Sequence, residues 1–425
     1  MAGGSTKRAV AGVIDSGGVY ASRAASGGGY VFLTGTPIDE TGGLPAAAQP
    51  PAPYQGSEAA RARTQTRYMM DSLKAVLPQL GSSTSDLVQL ENYVGLKTHV
   101  DGLFRTALTP AYLEQDRPTA ATAQVGAFFP PGAAISVTGF AIAPDEASGF
   151  VREFPGSDPA KRVGRQFNEM LAVGPYAFTT YFPTDNVTGI HPEVRTEDWN
   201  WRGSEIRSEA EYGVKVMTEK LANLGATLAD IVNYTLFLAD VGDLYEFDLA
   251  FGKALGDAPA SRTVIPALGF ATPRREGALG HAEGALRMEA QFRILRPGQG
   301  AERVVVAGPG AGFGVQSAGV RVGPLLWLSG QYGEPANFGS SLDAEIADAF
   351  GKFEAVCANG GTSLPNLLRL RAVVRHPDDA LAVFAALRRA VPKDPPAVSI
   401  IVTPSVLPVP EASVMIDGVA FVEGA

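Results

Sequence analysis

One arginine stands out among the residues that could do chemistry. Arg262 lies in the stretch "DAPASRTVIPALGF" (257–270), which is otherwise mostly apolar or small. Such a run is typical of a buried strand, and buried strands rarely carry an arginine. Because a guanidinium binds carboxylates in a two-point contact, we expect Arg262 to face a negative group. That group is either a ligand carboxylate or, in a purely structural role, a side chain such as Glu289.

Metal or cofactor chemistry has little support in the sequence. The single cysteine, Cys357, lies in a helical pattern, which indicates a small core residue and excludes a disulfide framework. The glycine-rich stretch "GPGAGFG" (308–314) lacks the lysine of a phosphate-binding loop. The histidines lack the spacing of a helical metal site; they are His99, His191, His281 and His376. We therefore expect neither a metal nor a cofactor.

Composition narrows the class of protein. The chain has 425 residues and a formal net charge of −9, and no basic patch suggests nucleic-acid binding. No apolar run reaches the length of a membrane span, and the N-terminal residues do not resemble a signal peptide. These features predict a cytoplasmic protein without a membrane or nucleic-acid partner. The length predicts two or three domains.

A pattern that occurs three times along the chain positions these residues. Each copy has two β-like runs, an amphipathic helix that stops at a glycine, another β-like run, a second short helix and two final strands. Glycine is the usual left-handed cap of a helix. The predicted caps are Gly81, Gly225, and Gly360 or Gly361. The pattern predicts an α+β fold of three β-β-α-β-α-β-β units, at residues 1–150, 151–300 and 301–425.

The order and spacing of these elements resemble the RidA (YjgF-type) family of reactive-intermediate deaminases, three times over. The likeness rests on the strands "YVFLTG" and "LWLSGQ" and on the tail "RTVIPAL" followed by "GALRMEA". The resemblance implies chorismate-mutase-like units, each a mixed sheet backed by two helices. Family members with one unit look like trimers with ligand clefts between subunits. Three tandem copies therefore imply an intrachain pseudo-trimer, present as a monomer or as a dimer of pseudo-trimers.

The same resemblance assigns the anchoring and acidic residues of the site. The family's functional arginine matches Arg262 in the second unit, whereas Ala120 and Val398 stand at that place in the other two. The family's acidic residue matches Glu289; an offset of two residues would instead put Arg287 there. One cleft of three thus retains the carboxylate anchor.

The remaining assignments come from the N-terminal half of the second unit. Thr180 matches the family's small polar residue, and Tyr181 follows it where glycine is usual, which reshapes the pocket. Phe167 matches the family's tyrosine near the N-terminus of the unit. The resemblance therefore implies Glu289 and Thr180 as catalytic residues, and Arg262, Phe167 and Tyr181 as substrate-binding residues.

These residues imply a metal-free hydrolase or deaminase acting on an imine, enamine or related C–N substrate that bears a carboxylate. Divergence of the clefts within one chain favours this interpretation. Two alternatives remain open. One is a non-catalytic pseudo-trimer that binds a small carboxylate metabolite, favoured by the missing arginine in two clefts. The other is a ring-opening or lyase enzyme on the same architecture.

Overall fold

The computed structural model of the chain is a mixed α+β fold with two large sheets and a few helices, as predicted. It describes residues 8–95, 112–113, 117–144, 150–157, 167–185, 189–194, 203–257, 259–270, 286–311 and 314–424. Across these ranges, no helix has the length and apolar character needed to cross a membrane.

In each sequence unit the described strands and the long helix come in the predicted order, with additional strands beside them. The first unit contains β1 (Ala9–Ser16), β2 (Val19–Gly27), β3 (Tyr30–Gly35), α1 (Glu58–Val76), β4 (Leu87–Val94), β5 (Thr119–Gln124), β6 (Ala127–Phe128) and β7 (Ile135–Ile142). Its second short helix was predicted within a stretch that lies almost wholly outside the described residues.

The second unit has its predicted second helix, which runs through three consecutive helical pieces with a π-helical turn at its centre. Its elements are β8 (Arg152–Glu153), β9 (Met170–Val173), β10 (Tyr176–Tyr181), β11 (Thr184–Asp185), β12 (Gly189–Ile190), α2 (Glu205–Ala222), β13 (Ile231–Leu238), the helical pieces Leu244–Phe247, Asp248–Gly252 and Lys253–Leu255, β14 (Ser261–Pro266), β15 (Gly269–Phe270) and β16 (Met288–Leu295).

The third unit has both predicted helices. Its elements are β17 (Arg303–Val306), β18 (Gly319–Val322), β19 (Leu325–Tyr332), α3 (Leu342–Asn359), β20 (Leu367–Val374), α4 (Asp379–Ala390), β21 (Ala397–Val402) and β22 (Val414–Phe421).

The long helices begin and end on the residue types that their sequences predict. A serine caps each N-terminus by accepting a backbone N–H, and these serines are Ser57, Ser204 and Ser341. After the helices, Gly81, Gly225 and Gly361 have φ of +66°, +66° and +83°. Of the two glycines predicted as the cap of the third helix, Gly361 is therefore the one with a left-handed backbone conformation.

Each unit contains the same four-strand sheet. The strand orders are β3-β7-β4-β5, β10-β16-β13-β14 and β19-β22-β20-β21, and the last pair of each is parallel. Six strands of the second unit form a sheet of their own. The first and third units share a 14-stranded sheet because β2 runs beside β21, and β15 of the second unit joins this sheet by pairing with β5. In each of these four-strand sets, the last strand (β5, β14 or β21) is the one that contacts another unit.

One contact between units recurs three times. The backbone N–H of Ser22 donates to Pro396, that of Asn168 to Pro118 and that of Ser317 to Ala260, over 2.9, 3.1 and 3.0 Å. The three donors lie at the same spacing before Thr34, Thr180 and Ser329, the residues equated in the repeat. Strand β21 correspondingly packs against β3, β5 against β10 and β14 against β19. Each unit therefore offers its outer strand to a different neighbour.

The helices cover the sheets with the residues expected from their periodicity. The amphipathic pattern of the helices predicts eight residues that face the sheets. Six of these are buried: Leu73, Val76, Leu77, Leu221, Phe353 and Val356. Val216 and Leu224 are only partly buried, but they pack against the core of the second unit.

A polar residue on each long helix binds the backbone before or at the start of its unit's last strand. Gln65 accepts from the N–H of Ala134 at 2.8 Å, and Glu345 accepts from Ser413 at 2.8 Å. Glu209 accepts from Arg287 at 3.0 Å and from Met288 at 3.1 Å. Burial of the Glu209 carboxyl raises its pKa to about 8, even though these N–H groups favour the charged form.

The raised pKa of Glu209 gives a pH-dependent stability. The folded chain keeps this proton up to about pH 8, whereas an unfolded glutamate loses it near pH 4.5. The stabilising contribution is therefore complete below pH 4.5 and is lost as the pH rises to about 8. Glu209→Gln should flatten this part of the stability profile, because the amide does not titrate and Gln65 fits the same place in α1.

Urea unfolding of the wild type and of Glu209→Gln, measured between pH 5 and pH 8, checks this expectation. Glu40→Gln, at an exposed position, is the control and should keep the wild-type profile. If Glu209→Gln also keeps that profile, the group does not titrate in this range.

Candidate functional site

Arg262 lies where the second unit meets the third. It is on β14, the edge strand of the six-stranded sheet, and its backbone N–H donates to the Ser329 hydroxyl of β19 at 2.9 Å. That hydroxyl in turn donates to the carbonyl of Ser317 at 2.6 Å. The Arg262 side chain has no exposed surface. The third unit therefore completes the interface around Arg262.

Among the described residues, a carboxylate and two neutral groups hold the Arg262 guanidinium. Its two terminal nitrogens bind the two oxygens of Asp248, and the longer of these contacts measures 3.4 Å. Its Nε donates to Gln316 at 3.3 Å, and one terminal nitrogen lies 3.5 Å from the Tyr234 hydroxyl. Burial acts to lower the pKa of Arg262, but Tyr234 and Asp248 outweigh it and raise the pKa above its usual value.

Asp248 reaches the arginine from an unusual piece of helix. It begins the π-helical turn Asp248–Gly252, and such turns occur frequently at functional sites. The loop of the third unit approaches closely here, since the N–H of Val315 donates to Asp248 at 3.3 Å. A Cβ at Gly314 would overlap both the carboxylate and the guanidinium, and this glycine has a φ of +61°. Glycine at 314 is thus required for the close approach.

A second tyrosine lies near the same charge. Burial raises the pKa of the Tyr332 hydroxyl, while the charges of Arg262 and Asp417 act on it in opposite directions. Tyr332 is the last residue of β19, the strand that carries Ser329. We call the group formed by Arg262, Asp248, Tyr234, Gln316, Ser329 and Tyr332 the Arg262 site.

Glu289 is buried, but it lies on the other face of the sheet. Arg262 is level with Tyr234, and Tyr234 is level with Phe292 on β16. Glu289 precedes Phe292 by an odd number of residues, so its side chain points to the opposite face. The carboxylate in the fork of Arg262 is that of Asp248, which corrects the structural alternative that offered Glu289. Arg287 is paired with Asp243 at 2.6 Å.

The structure does not gather Thr180, Tyr181 and Phe167 around Arg262. Thr180 is on β10, which packs against β5 of the first unit. The Tyr181 hydroxyl donates to the carbonyl of Glu209 at 2.5 Å, within the core of the second unit. Phe167 packs against the core of the first unit.

These three assignments are wrong for one reason. They assumed that the N-terminal half of the second unit faces Arg262, but the residues that face it there belong to the third unit. Ser329 stands in the third unit where Thr180 stands in the second. Gln316 likewise corresponds to Phe167, since each directly precedes the recurring backbone donor, Ser317 or Asn168.

A second group of buried charges joins all three units, and the sequence analysis did not single it out. We call it the central cluster; its members are Glu91, Arg293, Arg369, Arg371 and Asp417, each at most 6% exposed. Glu91 of the first unit binds Arg293 of the second and, at 2.6 Å, Arg371 of the third. Asp417 binds Arg371 at 2.6 Å and Arg369 at 3.0 Å.

Hydroxyl groups complete the shell of the Glu91 carboxylate. Tyr93 donates to it at 2.7 Å, Thr138 at 3.0 Å and Thr235 at 3.2 Å. Burial acts to raise the pKa of Glu91, but the three arginines and Tyr93 hold it well below the usual value. Charged residues inside "LLRLRAVV" and "QFRIL" are the same signal that identified Arg262, and applied to every strand it would have found this cluster.

Comparison with known proteins is informative about the fold alone. No protein-family model matches the chain, and neither does any curated protein. The structure is similar to that of a chorismatase, with a TM-score of 0.50 and 13% sequence identity over 79% of this chain and 93% of that one. The two proteins therefore share a fold.

Single-unit proteins match parts of the chain. A YjgF-family protein from Mycobacterium tuberculosis aligns over 28% of this chain and 100% of its own, with 27% identity and a TM-score of 0.26. RidA from an Antarctic Psychrobacter species aligns over 27% of this chain and 94% of its own, with 22% identity and a TM-score of 0.25.

The Asp248–Arg262 contact predicts a large effect of removing the carboxylate. Asp248→Asn removes the carboxylate that binds both terminal nitrogens of the buried guanidinium. It should lower the free energy of unfolding by about 3–5 kcal/mol. Replacing both residues, Asp248→Leu with Arg262→Met, should recover much of this loss because the pair is then replaced by two apolar side chains. Urea unfolding measures both effects.

The pair Asp15–Arg388 offers a matched control, since both side chains are about half exposed. Asp15→Asn should change stability far less, because water screens an exposed pair. Equal losses for Asp248→Asn and Asp15→Asn would contradict the buried ion pair.

Proposed function

We propose that the chain is three RidA-like units in tandem, folded into an intrachain pseudo-trimer. The repeated strand order supports this proposal, as do the backbone hydrogen bonds from Ser22, Asn168 and Ser317 at equivalent places. Equilibrium sedimentation should then give the mass of one chain, 44.4 kDa, or of a dimer. A homotrimer would contradict the proposal, because the three interfaces are already formed within one chain.

Within that architecture, the proposed activity is metal-free hydrolysis of a small substrate at the carbon that bears its carboxylate. The observation that carries it is a fully buried arginine between two units with a carboxylate in its fork. In this proposal Asp248 occupies the place that the substrate carboxylate takes when it binds. The equivalent residues Ala120 and Val398 offer no such anchor, so one interface of three does the chemistry.

The preferred substrate is a 2-imino or 2-enamino acid. Its carboxylate displaces Asp248 and is held by Arg262, which orients the neighbouring C=N carbon. The freed Asp248 carboxylate then takes a proton from a water molecule whose oxygen adds to that carbon. That proton passes to the imine nitrogen and gives a carbinolamine, with the hydroxyl group and the amine on the same carbon. The hydroxyl proton then passes to the nitrogen, the C–N bond breaks as the C=O bond forms, and ammonia and a 2-oxo acid leave. No oxidant, metal or cofactor enters this balance.

An enol ether next to a carboxylate is the oxygen counterpart of the enamine. Protonation of its outer carbon, addition of water at the carbon bearing the carboxylate and loss of an alcohol follow the same course. A chorismatase, whose name denotes action on chorismate, has a similar fold. This likeness is an analogy between folds. It is a reason to include C–O substrates in the test, but the preferred substrates remain those with a C–N bond.

The contact of Asp248 with both terminal nitrogens of Arg262 also favours a second candidate function. If Asp248 never leaves Arg262, the arginine is structural and the protein is a non-catalytic binder of a small carboxylate or of another partner. Binding of a 2-oxo acid without any turnover would identify this case, and isothermal titration calorimetry with pyruvate measures it.

The test is ammonia release from 2-imino acids that an amino-acid oxidase generates in the same vessel, with an enol-ether carboxylate assayed alongside. The wild type should accelerate hydrolysis of at least one of them. Arg262→Lys should lower kcat/KM by about 10²–10³-fold, since an ammonium cannot make the planar two-point contact.

Arg388→Lys is the matched control, because its guanidinium is exposed and lies far along the chain in α4. It should keep full activity, and circular dichroism should show every variant folded. Two results would overturn the proposal: a wild type inactive on both substrate classes, or Arg262→Lys as active as the wild type.

A further inference from the structure

A small cavity adjoins the central cluster, away from the Arg262 site. Its volume is about 10 Å³, and its polar lining includes Gln89, Glu91, Arg293 and Arg369. Aromatic rings form another part of its wall; the Trp327 ring lies 5.5 Å from the Arg293 guanidinium carbon. A space of this size has room for a single water molecule or a single monatomic ion.

The charges around this cavity do not balance within the described part of the chain. Three guanidiniums, from Arg293, Arg369 and Arg371, face two carboxylates, from Glu91 and Asp417. One positive charge is therefore in excess among side chains that are almost fully buried. Glu289, on the same face as Arg293, stands four residues away on β16, roughly 13 Å along the strand. A buried excess charge is costly unless a counter-charge accompanies it.

Polar atoms of the lining residues lack partners in the described structure. Gln89 is 2% exposed, and neither its amide nitrogen nor its amide oxygen has a hydrogen-bond partner there. The Nε atoms of Arg293 and Arg369 are likewise without a partner. Three N–H donors thus belong to side chains that line one cavity, where the excess charge is positive.

We propose that this cavity is a binding site for a single chloride-sized anion. The guanidiniums of Arg293 and Arg369 and the amide of Gln89 supply the donors, and the small volume excludes carboxylates, phosphate and sulfate. The ion neutralises the excess charge at the place where the three units meet. Its role is therefore to stabilise the assembly of the units, and it takes no part in the proposed hydrolysis.

The test is thermal unfolding in mixtures of sodium chloride and sodium gluconate at constant ionic strength. An ion that binds only the folded chain raises the unfolding midpoint as its concentration rises above its dissociation constant. We expect chloride and bromide to raise the midpoint progressively, because gluconate is too large for the cavity. A midpoint independent of halide would overturn the proposal.

Gln89→Glu gives a sharper result, since it places a carboxylate of nearly the same shape beside the cavity. This variant should be more stable than the wild type in gluconate and should lose the response to halide. Gln79→Glu, which makes the same charge change at an exposed position, should keep the response. A Gln89→Glu protein that still responds to halide would refute the site.

Crystals of the wild type grown in bromide keep the proposal testable if Gln89→Glu does not fold. Anomalous scattering should show bromide between Gln89 and Arg369. A water molecule in the cavity with no bromide signal would show that the donors are satisfied by water alone.

Discussion

The Glu91 carboxylate is the point on which the three units depend. It comes from β4 of the first unit and is shared by Arg293 of the second and by Arg371 of the third. If any unit moved outward, a buried charge would lose its partner, and breaking such a pair is costly. The ion pairs of Glu91 therefore fix β4, β16 and β20 relative to one another. That arrangement brings β14 against β19 and so creates the interface at which Arg262 lies.

The two groups of buried arginines differ in what surrounds them. In the central cluster, Glu91 receives hydrogen bonds from arginines and hydroxyls on several strands, which makes it a fixed part of the core. The partner of Arg262 comes instead from a single π-helical turn, and its side chain is 12% exposed. A carboxylate on such a turn can move without disturbing a strand. This contrast is why the proposed exchange with a ligand concerns Asp248 and not Glu91.

The repeat in the sequence predicted the element order, the glycine caps and most of the buried helix residues, because these depend on local patterning. Arg262 was also recognisable as buried, since a charge in an apolar strand needs a partner. Its partner Asp248 was not, because only the tertiary fold brings the π-helical turn to β14. A repeat in the sequence also does not indicate which unit lies next to which in the fold. For that reason Thr180 and Phe167 were assigned to the wrong interface, while Ser329 and Gln316 were missed.

The middle strands of the three sequence units carry different residues at one corresponding position. Glu91, Thr235 and Arg371 stand at corresponding positions of β4, β13 and β20, and all three belong to one hydrogen-bonded group. Three glutamates or three arginines at this position would bring like charges together in a buried place, where they would repel one another. The hydrogen-bonded group is complete only because the three positions carry different side chains. An assembly of three identical units could not form it, since every position would then carry the same side chain.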